Sequence, residues 1–388
     1  MVIVAGAAQT PYNRRKDHSC FRDWAADAFA AALEMSGLET ADIDLLVVAS
    51  ESDFFTLQLN PASVLVSDLG LDHVGTMRVE GGGASGQLAV HAGVHAILAG
   101  RANRVAVVGV DPSASQLSGH AIRSLYGYSF DAWSDGMTGV TATALYALSW
   151  QVYAEDKGLD AGHLAAVTIQ NRANAMKNDK AHLGRRHTAD EIEQSPAIAS
   201  PYRRLHCSPL SDGAAALILC CAEAAPRERQ GAPCICGTGM ATDSLHLGSR
   251  RQKGRFQAKT IAMKRACGEA GIGPGDIGLA EVYDSYAGAQ LQALDSLGLA
   301  KDIARELQDG RFAPDGGLPV NLTGGLMGLG APVGAIGVGQ TANCALFLEG
   351  RSDSAIQPAV PPAYALADTH GGICTTAAVT LLSQGDAA

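Results

Sequence analysis

Val79-Glu80-Gly81-Gly82-Gly83-Ala84-Ser85-Gly86 joins two stretches of different rhythm. The residues before it end a Val-bearing strand. Gln87 to Leu98 carry helical apolar spacing, so the triple glycine reads as the tight turn of a strand-to-helix unit. Further out, a longer pattern occurs twice. Ala25 to Met35 is helix-like and runs into Gly37-Leu38-Glu39-Thr40-Ala41-Asp42-Ile43-Asp44-Leu45; Ile261 to Ala270 is helix-like and runs into Gly271-Ile272-Gly273-Pro274-Gly275-Asp276-Ile277-Gly278-Leu279. Helix, Gly, four residues, Asp-Ile, one residue, Leu and an apolar strand recur at matching offsets, which marks an internal duplication. The apolar runs Arg104 to Val110 and Cys344 to Leu348 each follow a Gly-rich turn and a helix, and both are read as extending the repeat.

Residues 1–230 are thus expected to form one α/β half and 231–388 the other. The first half is interrupted at about 126–204, where Thr141 to Lys157 and Ala161 to Met176 read as helices and Lys177 to Pro201 as a charged loop. Long excursions from a compact fold are usually functional, so a substrate-covering region is expected, with an oligomer contact an equal reading.

The chain has 388 residues, 47% hydrophobic and 18% charged, with 45 glycines and 5% aromatics, the profile of a globular α/β protein with close helix-to-sheet packing. A formal net charge of -10 argues against a general nucleic-acid binder. Nine scattered cysteines and no secretory leader point to a reduced, cytoplasmic compartment. Cys234 and Cys236 do not have zinc-ribbon spacing, so no metal site is expected. The opening Met1 to Ala7 is too short to span a membrane and reads as a first buried strand.

Five motifs, in order, carry a resemblance. They are the Val79 to Gly86 turn, Cys207-Ser208-Pro209-Leu210-Ser211-Asp212-Gly213-Ala214, Glu281-Val282-Tyr283-Asp284-Ser285-Tyr286, Pro319-Val320-Asn321-Leu322-Thr323-Gly324-Gly325 with Gly330-Ala331-Pro332-Val333-Gly334-Ala335, and Ala365 to Gly372. Together they resemble the thiolase superfamily, most nearly its sterol-carrier-protein and lipid-transfer branch. The resemblance implies an α/β thiolase fold: two duplicated halves of layered helices and mixed sheets with an inserted helical loop region. It also implies a coenzyme A ester as ligand, with no cofactor held by the chain itself.

The family's chemistry does not carry over intact. Gly83 stands where the family has its nucleophilic cysteine, Tyr283 where it has the His of His-Asp-Cys-Phe, Ser285 where it has the acid/base cysteine, and Ala331 where it has the His of Gly-His-Pro. A hydrogen cannot attack a thioester, so the acyl-enzyme route is closed at position 83. The steroid side-chain aldolases, which resemble this chain and place a tyrosine at the family's His, suggest retro-aldol cleavage of a bulky β-hydroxyacyl-CoA. A noncatalytic thiolase-like subunit, or an acyltransferase with a displaced nucleophile, are the alternatives.

Under the aldolase reading Tyr283 is the base or proton shuttle. A free phenol titrates near pH ~10, so its surroundings would have to lower that value. Backbone N–H groups at Gly83, Gly371 and Gly372 are candidate donors to the enolate, and the triple glycine is expected to widen the pocket. His370 would protonate the enolate, Ser285 would hydrogen-bond, Asn321 would orient a water or buttress its loop, and Asp284 would anchor its own. His206 and Cys207 point to opposite faces of a strand, and Ser85 has no base beside it. Two basic clusters could meet coenzyme A phosphates, Arg185-Arg186 with Arg203-Arg204, and Arg250-Arg251 with Lys253 and Arg255; family position favours the first. The resemblance also implies a homodimer and a small partner that joins a zinc-binding segment to an OB-type barrel.

Overall fold

The computed structural model describes residues 1–14, 18–353 and 355–385. The strands are β1 (Val2–Gln9), β2 (Leu45–Ala49), β3 (Gly75–Val79), β4 (Arg104–Pro112), β5 (Ala197–Ala199), β6 (Tyr202–Arg203), β7 (Asp212–Cys221), β8 (Cys234–Thr242), β9 (Leu279–Glu281), β10 (Tyr364–Gly371) and β11 (Thr376–Ser383). β5 and β6 form a small ribbon, and the others form one sheet in the order β3-β2-β4-β7-β1-β8-β11-β10-β9. β2 runs parallel to β3 and β4, and β9 to β10; the remaining neighbours are antiparallel. The pairs Val2↔Ile235 and Ile3↔Cys234 join the half-sheets.

The duplication has a local physical cause. The helices Phe21–Ser36 and Gln257–Ala270 both stop at a glycine in the left-handed region, Gly37 and Gly271, each with φ 70°. A single 3₁₀ turn follows in each copy, closed by the repeated aspartate: Asp42 Oδ2 accepts the Glu39 N–H at 3.0 Å, and Asp276 Oδ2 accepts the Gly273 N–H at 2.8 Å. The chain then enters β2 or β9.

The pairing of the two apolar runs in the repeat does not hold. Cys344 to Leu348 lies inside the helix Val333–Glu349, and the partner of β4 in the repeat is β10. That helix is apolar on every side because it packs against strands of both half-sheets, so its short run has no polar face to reveal its period. It crosses the Ser85–Leu98 helix where Gly86 meets Gly337; a Cβ on Gly86 would stand 2.6 Å from the Gly337 nitrogen. The Phe21–Ser36 and Gln257–Ala270 helices cover the outer faces of the two half-sheets, giving five layers.

The inserted helices run Ala142–Lys157 and Ala161–Ala175, capped by Thr141 and Asp160. The stretch expected as charged loop also holds the short helix Ala189–Glu193 and the strand β5.

Candidate active site

Three chain segments converge at the carboxyl ends of β3, β9 and β10. The first is the glycine turn. Gly82 has φ +59°, which glycine alone adopts freely, and Ser85 locks the turn by accepting the Gly81 N–H at 3.0 Å and donating to Gly82 O at 2.6 Å. The Ser85 hydroxyl is therefore spent on structure. The second is the loop after β10, where Gly372 also has φ +59°. These loops touch backbone to backbone: a Cβ on Gly371 would overlap Gly81 O, and one on Gly82 would stand 3.4 Å from Gly371 Cα.

The third segment carries Tyr283, which is 6% exposed. A Cβ built on Gly83 would collide with the His370 carbonyl oxygen and would stand 2.5 Å from the Tyr283 hydroxyl. The missing side chain at 83 therefore does not widen the pocket; the phenol fills the space. Gly83→Cys is accordingly expected to lose about 1–3 kcal/mol of stability through overpacking, and not to restore acyl transfer. Chemical denaturation, with intact-mass analysis after exposure to an acyl-CoA, checks both; a stable variant acylated at position 83 would contradict the packing argument.

His370 and Tyr283 lie with ring centroids 4.6 Å apart. The Tyr146 hydroxyl is 2.6 Å from both His370 Nε2 and Gly372 O. A carbonyl can only accept, so Tyr146 donates to Gly372 and His370 Nε2–H donates to Tyr146. The imidazole is 1% exposed, and burial, helped by Lys259 and Arg250, holds its pKa well below the ordinary value. His370 is thus a neutral, committed donor, which corrects the expected proton exchange near pH ~6.5. The Tyr283 phenol is pushed up, by burial first and then by Glu51, so it keeps its proton, opposite to the lowering that the role of base would require.

The other expected residues are mostly scaffold. Asn321 Oδ1 accepts the Val282 N–H at 2.8 Å, and its amide donates to Gln290 at 2.9 Å. Asp284 accepts from Leu326 N–H at 2.6 Å and from Asn171 at 2.7 Å; burial raises its pKa to about 8. Ser285 Oγ is buried beside the Tyr146 phenol, with no hydrogen bond of ordinary geometry.

A cavity of about 380 Å³ opens over the glycine loops. Its wall includes Glu51, Glu80, Tyr126, Tyr128, Gly81, Gly82, Gly371 and Gly372. Sequence reasoning missed Glu51, Tyr126 and Tyr146. The available signal for Glu51 was its place just beyond the carboxyl end of parallel strand β2, where open α/β sheets gather ligands. Arg185, Arg186, Arg203 and Arg204 do not line this cavity. Arg203 pairs with Glu193 at 2.8 Å and Arg185 with Glu191 at 3.9 Å. Arg250, from the second basic cluster, is buried and donates to Ile373 O at 2.5 Å and Thr375 Oγ1 at 3.2 Å, clamping the second glycine loop.

The model of the thiolase N-terminal domain matches residues 2–223, and that of a thiolase C-terminal domain-like unit matches residues 239–384. The chain belongs to the thiolase family. It is 33% identical to an acetyl-CoA acetyltransferase of Methanothermobacter thermautotrophicus over 99% of each chain. It is 27% identical to the benzoylsuccinyl-CoA thiolase subunit BbsB of Thauera aromatica, over 88% of this chain and 87% of that one. Among solved structures, an Ltp2-ChsH2(DUF35) aldolase superposes with a TM-score of 0.84 at 23% identity, covering 99% of this chain and 98% of that one, a likeness of fold. Among the described residues no group of three His, Cys, Asp or Glu could hold a metal ion, and no helix is long and apolar enough to cross a membrane.

Proposed function

We propose that this thiolase-family protein is an aldolase that cleaves a bulky β-hydroxyacyl-CoA, with coenzyme A entering as part of the substrate. The observation that carries the reading is the Tyr283 hydroxyl, lodged in the space of the absent side chain at Gly83 and directly beneath two abutting glycine loops. Retro-aldol cleavage takes the proton from the β-hydroxyl, breaks the Cα–Cβ bond and releases a ketone or aldehyde. The thioester enolate left behind would be held by N–H groups of the Gly81–Gly83 and Gly371–Gly372 loops. Tyr283, a protonated phenol at neutral pH, would then protonate Cα. His370 would act through Tyr146, holding the second loop in place.

The names of the sequence relatives favour acyl transfer as a second reading, with a displaced nucleophile. Against it, Ser85 is consumed by its turn, and burial pushes the Cys207 thiol up to about 12, where it is a poor nucleophile. A noncatalytic subunit would have no need of an open cavity lined by two abutting glycine loops.

The solved aldolase named with a DUF35 component supports a heteromeric partner here. Among the described residues the cavity wall offers Glu51 and Glu80 and no Lys or Arg, which supports cations for the coenzyme A phosphates being supplied by the partner or by Arg185, Arg186, Arg203 and Arg204. The open edge strand β3, with Met77 42% exposed, is available for a homodimer contact. The deciding experiment incubates the protein, alone and with a DUF35-type partner, with a β-hydroxyacyl-CoA whose hydroxyl is tertiary. Release of a ketone and a shortened acyl-CoA supports the reading; a stable acyl adduct on the protein would replace it with acyl transfer.

A further inference from the structure

We infer that Glu51 is the catalytic base for this cleavage, drawing the proton from the β-hydroxyl, and that the Tyr126 hydroxyl returns that proton to Tyr283. The inference rests on the aldolase reading and completes it, because a site whose tyrosine stays protonated supplies an acid but no base. The carboxylates near the cavity can be tested one by one. Asp111 is fully buried and spent: Oδ1 accepts from Ser50 Oγ at 2.9 Å, and Oδ2 accepts from the N–H groups of Glu51 at 3.0 Å and Gly334 at 2.5 Å. Glu80 is exposed, and its Oε1 is held by the Gly82 N–H at 2.6 Å. Asp284 is saturated by Leu326, Met327 and Asn171. Glu51 remains. It lines the cavity, and its buried Oε2 makes no hydrogen bond of ordinary geometry, the Tyr126 hydroxyl being the donor that acts on the carboxyl.

Glu51 is also well placed. Asp111 fixes its backbone, and the following short helix, Asp53–Thr56, carries Phe55, whose ring lies 5.9 Å from that of Tyr126. The Tyr126 hydroxyl is buried, is directed at the Glu51 carboxyl and lies within the field of Tyr283. Among the charged groups that act on Tyr283, Glu51 acts most strongly. The groups facing Glu51 are Asp111, Glu80 and Tyr126, with Tyr283 beyond; none is a cation, and Arg78 acts on Asp111 while pairing with Asp53. Burial, then Asp111, raises the carboxyl to about 8, a strong base when ionised.

The step balances without a co-reactant. Ionised Glu51 takes the hydroxyl proton as Cα–Cβ breaks and the carbonyl product forms. Tyr283 gives its proton to Cα and becomes a phenolate, and protonated Glu51 passes its proton through Tyr126 to restore it.

The test compares wild type with Glu51→Gln, which keeps the shape and removes the base, using the same partner complex. Cleavage is expected to fall by roughly 10²–10⁴-fold while affinity for the acyl-CoA lacking the β-hydroxyl and the thermal midpoint stay unchanged. Because the base works ionised, wild-type kcat/KM should rise with pH through about 8. The residual rate of Glu51→Gln should lack that rise, and Tyr126→Phe should slow turnover less. If Glu51→Gln does not fold, Glu51→Asp should retain the pH limb at a reduced rate, and a wild-type rate in it would overturn the assignment. An active wild type with an equally active Glu51→Gln, or one with an unchanged pH profile, would sink Glu51 as base and leave the aldolase reading standing. A wild type inactive on every β-hydroxyacyl-CoA, alone and with partner, would overturn both.

Discussion

Tyr283→Phe is expected to lower cleavage of a β-hydroxyacyl-CoA by roughly 10²–10⁴-fold while leaving the protein folded and able to bind the thioester. The ring lies 4.6 Å from His370, a contact that phenylalanine preserves, whereas it is the hydroxyl that occupies the space of the absent side chain at Gly83. Only the hydroxyl is lost, and with it the proton destined for Cα. Burial keeps that phenol protonated, so the wild-type rate should show no fall that tracks a tyrosine ionising near neutral pH. Steady-state kinetics with a matched thermal melt decide the point. Wild-type turnover in a well-folded variant would reduce Tyr283 to a packing residue.

Lys259→Met is expected to have the largest effect on stability, a loss of about 3–5 kcal/mol. Lys259 Nζ pairs with Asp368 Oδ2, and both side chains are fully buried. The same oxygen accepts the Tyr283 N–H at 3.3 Å, and Asp368 Oδ1 has no partner. Removing the ammonium strands a carboxylate in the core beside the Tyr283 backbone, whereas replacing both partners by apolar residues should recover most of the loss. Denaturant midpoints of the single and double variants provide the measurement. A single variant within about 1 kcal/mol of wild type would show that solvent reaches the pair.

The fold was legible because the duplicated punctuation is chemical: a glycine that ends a helix and an aspartate that closes the next turn leave the same mark in both halves. The two glycine loops and Tyr283 were legible for a related reason, since their neighbours keep the family's spelling. Cys344 to Leu348 misled because a helix buried on all sides has no polar stripe. Glu51 was hidden in Ser50-Glu51-Ser52-Asp53, which reads as a solvated loop until the sheet places it over the glycine turn. Tyr146 lies 224 residues from His370, and no spacing rule links them. The proton affinities of Tyr283 and His370 were also misjudged, because they follow from burial that only packing creates.

The Gly83–Tyr283 fit constrains the order in which such a site can change. A cysteine at 83 and a tyrosine at 283 compete for one volume, so each is acceptable only in the absence of the other, and the worth of either substitution depends on the state of the second position. Shrinking Tyr283 first clears the side chain but leaves the His370 carbonyl against the incoming Cβ, so the β10 backbone must also give way. A path from this chain to a cysteine enzyme by single steps therefore crosses intermediates that have given up the phenol before a thiol can be placed, and the two chemistries are separated by a valley rather than a slope.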